Sequence, residues 1–253
     1  MFIYPWLQNG SSIYSAAAKS KTAILLNKHG NIEAFGSQAY EEYYASKDRE
    51  EVYLFDGFKR AMLDLKGSVD KRIRAADGRE MSLKLVVTKT LERVRESVIR
   101  EIDHERQEST DPKAVIWVLL YPYGFNHVAI HLLRLAACEA GMASDPQADN
   151  LILCPEGEAG CLNVALENNI DPIREGAKLM VLDGGALTLL LSGYQVKSLS
   201  PFQVAQVMEP VGTDRGSAQM DKRFHAFLHK LLGRTSYEKL KKTAYFNSKL
   251  MPK

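Results

Sequence analysis

Residues Ala114–Tyr121 read AVIWVLLY, an unbroken apolar and aromatic run with no charge. A strand with one wet face alternates apolar and polar residues. A continuous run instead fits a strand covered on both faces, as in an α/β sheet. Helical patterns flank it. Upstream, Leu85, Thr88, Leu91, Val94, Val98 and Ile102 recur at three- and four-residue steps, which predicts a helix over 82–105 with one apolar face. Asp111-Pro112 breaks the chain after it. Downstream, Asn126 is placed to cap a helix over 127–140, and Gly141 stands where a helix C-terminal glycine belongs.

The remaining segments continue the alternation. Thr22–Asn27 and Ile32–Phe35 read as strands of a hairpin, joined by a turn at Lys28–Asn31 in which Gly30 can take positive φ. Ser37 is placed to cap a helix through Ala39–Ala45, and Tyr53–Leu65 reads as a short helix. Residues 66–80 form a loop, or a hairpin turning at Asp77-Gly78. Leu151–Cys154 is a short strand, Leu162–Asn168 is helical, and Leu179–Leu182 is a strand that Thr188–Leu191 continues or pairs with. Gln195–Val207 reads as β. Asp221–Leu232 reads as an amphipathic helix with Phe224, Phe227, Leu228 and Leu231 on one side. The fold class is therefore α/β, with mixed or parallel sheets covered by helices. Ligands of such sheets sit at the carboxyl ends of strands. That singles out the turns Pro122–Asn126, Pro155–Gly160, Asp183–Thr188 and Gly212–Ser217.

Composition excludes several classes. With 45% hydrophobic and 25% charged residues in 253, the chain is not intrinsically disordered, and 17 Gly with 9 Pro rule out a collagen-like or linker-like sequence. No apolar run reaches the roughly 18 residues of a membrane span. The start MFIYPWLQNGSS lacks the basic region of a secretory signal. Cys138, Cys154 and Cys161 suit a reducing compartment, so cytoplasm or nucleus is expected. The charge is uneven. Residues 222–253 carry nine basic side chains and one acid, a local charge of +8 against −6 for the rest. A solvated helix surface explains this, and so does a footprint for nucleic acid or acidic lipid. No aromatic platform or nucleic-acid motif accompanies the charge, so a nucleic-acid partner is not expected.

The turn most suited to chemistry is VLDGGALT, Val181–Thr188. An apolar strand ends in Asp183, then Gly184 and Gly185, then the hydroxyl of Thr188. Glycines let backbone N–H groups approach an anion, a strand-end Asp can hold a hydrated metal, and Thr can bond a phosphate oxygen. An ordinary strand-end turn has the same composition. GTDRGS, Gly212–Ser217, could hold an anion before a helix, or serve as a capped β-to-helix turn. Glu156 and Glu158 follow a strand and could orient water, or line a solvated loop. His127 with His131, and His225 with His229, have the i,i+4 spacing of zinc helices, but neither pair has the intervening Glu or an evident third ligand. No Ser-His-Asp or Cys-His order supports a nucleophilic hydrolase.

In order, these segments resemble the ATPase domain of the 70-kDa heat shock protein family, in its divergent member-12 branch. TAILLNKHGNIEAFGSQAYEEYY, Thr22–Tyr44, followed by YLFDGFKRAML, Tyr53–Leu63, resembles the branch's hairpin and the phenylalanine- and lysine-containing helix after it. AVIWVLLYPYGFNHVAIHLLRLAACEAGM resembles the family strand VVTVPAxFxxxQ and its helix. LILCPEGEAG resembles LxxLEPEAAS, VLDGGALTLLL resembles DxGGGTxDL, and VGTDRGSAQMDKRF resembles GxxxGGxxxDxxF. The matches are collinear from about residue 20 to 233.

The resemblance implies an actin-like ATPase (ribonuclease H-like) fold, with two lobes around a nucleotide cleft. It implies ATP and Mg²⁺ as cofactors, and client proteins or co-chaperones as partners. Lys59 would help position the attacked phosphate, Glu156 would orient water, and Thr188 would lie near the terminal phosphate. Asp183 would handle the magnesium shell. Gly184, Gly185, Gly212 and Gly216 would form the phosphate-binding turns. Residues 1–178 correspond to a first-lobe-like part and 179–253 to a partial second lobe with a basic C-terminal helix.

The departures from the family pattern are specific. Ala186 and Leu187 replace two glycines of DxGGGTxD, and Leu190 replaces its second Asp. Gly157 replaces the Pro after the glutamate. The first phosphate loop, DxGTT, has no counterpart: Gln8–Ser12 is the nearest string but lies too close to Thr22, and Trp6 matches a tryptophan that follows the loop. The fold is therefore expected to be incomplete, as in a fragment, a truncated gene model or a degenerate paralogue. Two functions follow: an ATP-binding chaperone-type ATPase with weak or no hydrolysis, or a pseudoenzyme interaction module that has lost its nucleotide.

Overall fold

The structure, a computed structural model, describes residues 22–46, 48–166, 173–185, 188–213 and 216–241. The chain divides into two compact units, Met1–Pro155 and Glu156–Lys253.

In the first unit, β1 (Ala23–Asn27) lies between β2 (Ile32–Phe35) and β3 (Val52–Asp56) in an antiparallel sheet. The β1–β2 turn is tied by Asn27, whose Oδ1 accepts from the His29 and Asn31 amides at 3.0 Å each, and Gly30 takes φ 81°. Tyr53–Leu65 is thus not one helix. Its first half is β3, because Tyr53, Leu54 and Phe55 pair with β1, and the chain leaves the strand at Gly57 with φ 64°. Only α2 (Lys59–Leu63) is helical. Helix α1 (Ser37–Ala45) starts one residue before the expected capping arrangement allows: Gly36 is the cap residue, and Ser37 is already helical.

The strand covered on both faces is β1, not the AVIWVLLY run. Ala23 and Leu25 pack with Ala34, Ala39, Tyr43 and Leu54, while Ile24 and Leu26 join the main core. In that core Val86, Val87 and Leu91 of α3 (Leu83–Arg106) meet Ala129, Leu132 and Ala136 of α4 (His127–Glu139). Ser82 caps α3 and Asn126 caps α4, its Oδ1 accepting from the Ala129 amide at 3.0 Å. Gly141 takes φ 76° after α4. Residues 66–80 resolve into a hairpin of β4 (Arg72–Arg74) and β5 (Glu80–Ser82). Its Arg79 stacks 3.9 Å over the Tyr53 ring and donates to the Val52 carbonyl, pinning the hairpin to β3. Within AVIWVLLY, β6 is Trp117–Tyr121, pairing in parallel with β7 (Leu151–Pro155) in a two-stranded sheet. Trp117 is buried but Val118 is 53% exposed. One face of β6 is therefore open among the described residues.

The second unit starts with α5 (Glu156–Leu166). Pro155–Gly160 is thus helical from Glu156 onward, not a turn. The antiparallel meander β8 (Lys178–Gly184), β9 (Leu189–Leu199) and β10 (Phe202–Thr213) follows. Helix α6 (Ser217–Lys241) closes the unit, with non-helical dihedrals at Gly233. Among the described residues no helix is long and apolar enough to cross a membrane.

Candidate functional site

The turn between β8 and β9 collects most of the residues singled out by sequence. Pairing runs from Val181↔Ser192 through Asp183↔Leu190 to Gly184↔Leu189. The loop then closes with the Gly185 amide donating to the Thr188 carbonyl at 2.9 Å. A Cβ on Gly185 would lie 3.3 Å from that carbonyl, so a side chain there would crowd the loop. Ala186 and Leu187 lie outside the described residues, as do Trp6 and Gln8–Ser12.

A second glycine segment meets this loop. The Ser217 amide, at the start of α6, donates to the Gly185 carbonyl at 3.1 Å, and Gly216 before it is buried. The structure therefore brings Asp183, Gly184, Gly185, Thr188, Gly212 and Gly216 to one end of a three-stranded sheet. Two details differ from expectation. Gly212 belongs to β10 rather than to a turn, and its missing Cβ is needed by β9: a Cβ there would fall 2.8 Å from the Leu189 carbonyl oxygen. The Ser217 amide, a candidate anion donor, is already spent on Gly185.

Glu156 is the first residue of α5, and Glu158 shares its first turn. The glycines of CPEGEAG serve packing rather than turning. A Cβ on Gly157 would stand 2.4 Å from the Tyr194 hydroxyl and 3.0 Å from Ser192 Oγ, and one on Gly160 would stand 3.2 Å from Val181 Cγ1. Helix α5 thus lies directly on the meander. Val181 and Asp183 are two apart in β8 and share a face, so Asp183 is on the sheet face that α5 covers. Its cross-strand neighbour on that face is Leu190. Tyr194 and Ser192, both buried, are the site-lining residues that sequence reading did not find. The only local signal was their alternation with Leu191 and Gly193 in β9.

Lys59 lies in the first unit, as the first residue of α2, and is half-buried. Three residues before it Asp56 accepts a hydrogen bond from the Tyr40 hydroxyl. Burial first, and then that carboxylate, push the Tyr40 hydroxyl pKa upward. Cys161, a buried residue of α5, has its thiol pushed up to about 11, by burial and then by Glu158.

The donor set can be weighed for a nucleotide and its metal. The Thr188 hydroxyl and glycine-flanked backbone suit a phosphate oxygen. For a hydrated Mg²⁺ the hairpin supplies Asp183, and the residue facing it is a leucine, which ligates nothing. Among the described residues there is no group of three or more His, Cys, Asp or Glu able to hold a metal. His225 and His229 instead flank the Tyr237 ring.

No protein-family model matches the chain. Human Heat shock 70 kDa protein 12A is 22% identical over 88% of this chain and 41% of that protein, and the mouse protein of the same name is 23% identical over the same shares. Human Heat shock 70 kDa protein 12B is 27% identical over 62% of this chain and 24% of that protein. The chain spans about two fifths of the length of the 12A relatives it matches. Among solved structures, a non-polymerising mutant of MamK bound to AMPPNP superposes with a TM-score of 0.41 at 14% identity, covering 88% of this chain and 57% of that one.

Proposed function

We propose that this chain, a divergent relative of the heat shock 70 kDa protein 12 branch, is an ATP-binding module of the chaperone-type, actin-like ATPase class whose hydrolysis is weak or lost. The observation that carries this reading is the pairing of Asp183 with Leu190 beside the Gly185–Thr188 loop. It keeps a loop with glycines, one carboxylate and a hydroxyl, and leaves out the second carboxylate. In this reading the Thr188 hydroxyl binds a phosphate oxygen, Gly184 and Gly185 keep side chains out of the way of the nucleotide, and Asp183 holds water of the metal shell. Glu156 orients the attacking water, and Lys59 approaches the attacked phosphate. Gly212 and Gly216 shape the backbone behind the loop. Residues 1–178 belong to a first-lobe-like part and 179–253 to a partial second lobe. Mg²⁺, when bound, would neutralise phosphate charge.

Phosphoryl transfer to water relies on positioning and charge neutralisation rather than covalent chemistry. Loss of one such contact typically costs about 10²–10³ in rate. Here Leu190 removes one directly, and Leu187 stands where a family glycine would present its amide. The expected result is weak ATP·Mg²⁺ binding by calorimetry and no measurable phosphate release. Release at the rate of an intact family member, abolished by Glu156→Ala, would overturn the loss of hydrolysis. Absence of any ATP binding heat would overturn the nucleotide reading and leave the pseudoenzyme interaction module, with clients or co-chaperones as its ligands.

A further inference from the structure

Helix α6 leaves a long apolar stripe without a partner in the described structure. Met220, Phe224, Phe227, Leu228, Leu231 and Leu232 fall on one side of it at helical spacing. Met220 is 70%, Phe227 58% and Leu231 66% exposed. A neighbouring flank is already in use. The helix breaks at Gly233 (φ 72°, ψ 160°), and beyond the break Tyr237 is buried, its hydroxyl 2.6 Å from His225 Nδ1 and its ring edge-on to His229. Before the break, Lys222, Arg223 and Lys230 are exposed outside the stripe, and beyond it Arg234 and Lys239 are exposed with Glu238. Arg223 and Lys230 stand one turn before and one turn after Phe227, so they border the stripe.

We propose that α6 is an interfacial anchor for an anionic membrane surface. The stripe enters the boundary between headgroups and acyl chains, and the bordering cations meet lipid phosphates and carboxylates. Charge selects this occupant. Helix α6 carries six basic side chains against Asp221 and Glu238, a charge of +4, so a second copy of the helix would set like charge against like. Duplex nucleic acid would use the cations and leave Phe227 and Leu231 in water. An anionic bilayer uses both faces of the helix. The proposal needs no nucleotide and stands apart from the ATP reading.

The test is flotation of the full chain with vesicles of phosphatidylcholine mixed with phosphatidylserine, and with phosphatidylcholine alone. The expected result is flotation with the mixed vesicles only, weakening as salt screens the headgroups. Phe227→Asp and Leu231→Asp, at exposed positions, should lower partitioning about tenfold or more while leaving the circular dichroism melt unchanged. The pair Arg223→Ala with Lys230→Ala should also lower partitioning and flatten its salt dependence. No flotation, equal flotation with phosphatidylcholine alone, or flotation unaffected by the stripe variants would each overturn the proposal. So would tighter binding to a DNA duplex that Phe227→Asp leaves unchanged. Self-association in sedimentation that Phe227→Asp abolishes, without flotation, would give the stripe to a second copy and overturn it as well.

Discussion

Leu190 faces Asp183 across the β8–β9 ladder, at the position of the second Asp in the DxGGGTxD pattern that the segment resembles. Leu190→Asp should therefore strengthen Mg²⁺-dependent ATP binding, at a cost of roughly 1–3 kcal/mol for placing a half-buried polar group. Calorimetry with and without Mg²⁺ reads the first effect and urea unfolding the second; a metal dependence left unchanged would show that Asp183 does not face a metal shell. Gly157 is constrained by contact rather than by dihedral angle. Gly157→Ala should cost about 1–3 kcal/mol because its methyl meets the Tyr194 hydroxyl. Tyr194→Phe removes that oxygen, so the double variant should recover part of the loss in a thermal melt; additive losses would disprove the contact. Cys161 gives a pH effect of known sign. Its thiol rises from the usual 9.0 to about 11 in the fold. The folded state thus holds its proton more tightly. The resulting stability is complete below pH 9.0 and is lost as pH climbs toward about 11. Denaturant midpoints measured across that window should fall for the native chain and fall less for Cys161→Ala.

Among the elements, α4 depends most visibly on one side chain. Asn126 accepts from the Ala129 amide at 3.0 Å and donates from Nδ2 to the Leu65 carbonyl at 2.6 Å, joining the helix start to the chain after α2. Asn126→Ala should cost about 1–2 kcal/mol in the first unit, read from the denaturation midpoint; a change within a few tenths would mean the cap is replaced by water. Asn126 was legible in the sequence because a cap is a local device, with its acceptor three residues from its donor. Helix α5 was not. CPEGEAG has the composition of a turn, and Gly157 and Gly160 make it helical only in the presence of a sheet close enough to exclude a Cβ. Likewise Tyr53–Phe55 has residues compatible with helix or strand, and its pairing with β1, some thirty residues away in sequence, settles it as a strand.

For the whole molecule, the weak nucleotide binding proposed above would have a measurable consequence. A ligand present at its own dissociation constant stabilises the native state by only about 0.4 kcal/mol. ATP·Mg²⁺ should therefore barely move the thermal midpoint at concentrations near that constant. A large shift at low concentration would restore a fully formed site. The alternation of β and α segments and the α3 and α4 helices could be read along the chain, because periodicity and caps act over a few residues, whereas Gly157 and Gly160 lie in a helix and Gly212 in a strand rather than in the turns expected for them. The extent of β pairing could not. AVIWVLLY reads as a doubly covered strand, yet Val118 is exposed on one face of β6, while the shorter AILLN is enclosed.

The amino-acid sequence by itself determined the α/β class, the charge imbalance and the boundaries of α3 and α4 within a residue or two, though not those of α6. Each follows from chemistry that neighbours in the chain settle among themselves. Tertiary structure decided that the Asp183–Thr188 loop and the Gly216–Ser217 segment share one hydrogen bond, that Leu190 occupies the position facing Asp183, and that Tyr194 sits under Gly157. Those relations join residues tens of positions apart. Register and close packing fix them, and both depend on the three-dimensional neighbour rather than on the local pattern.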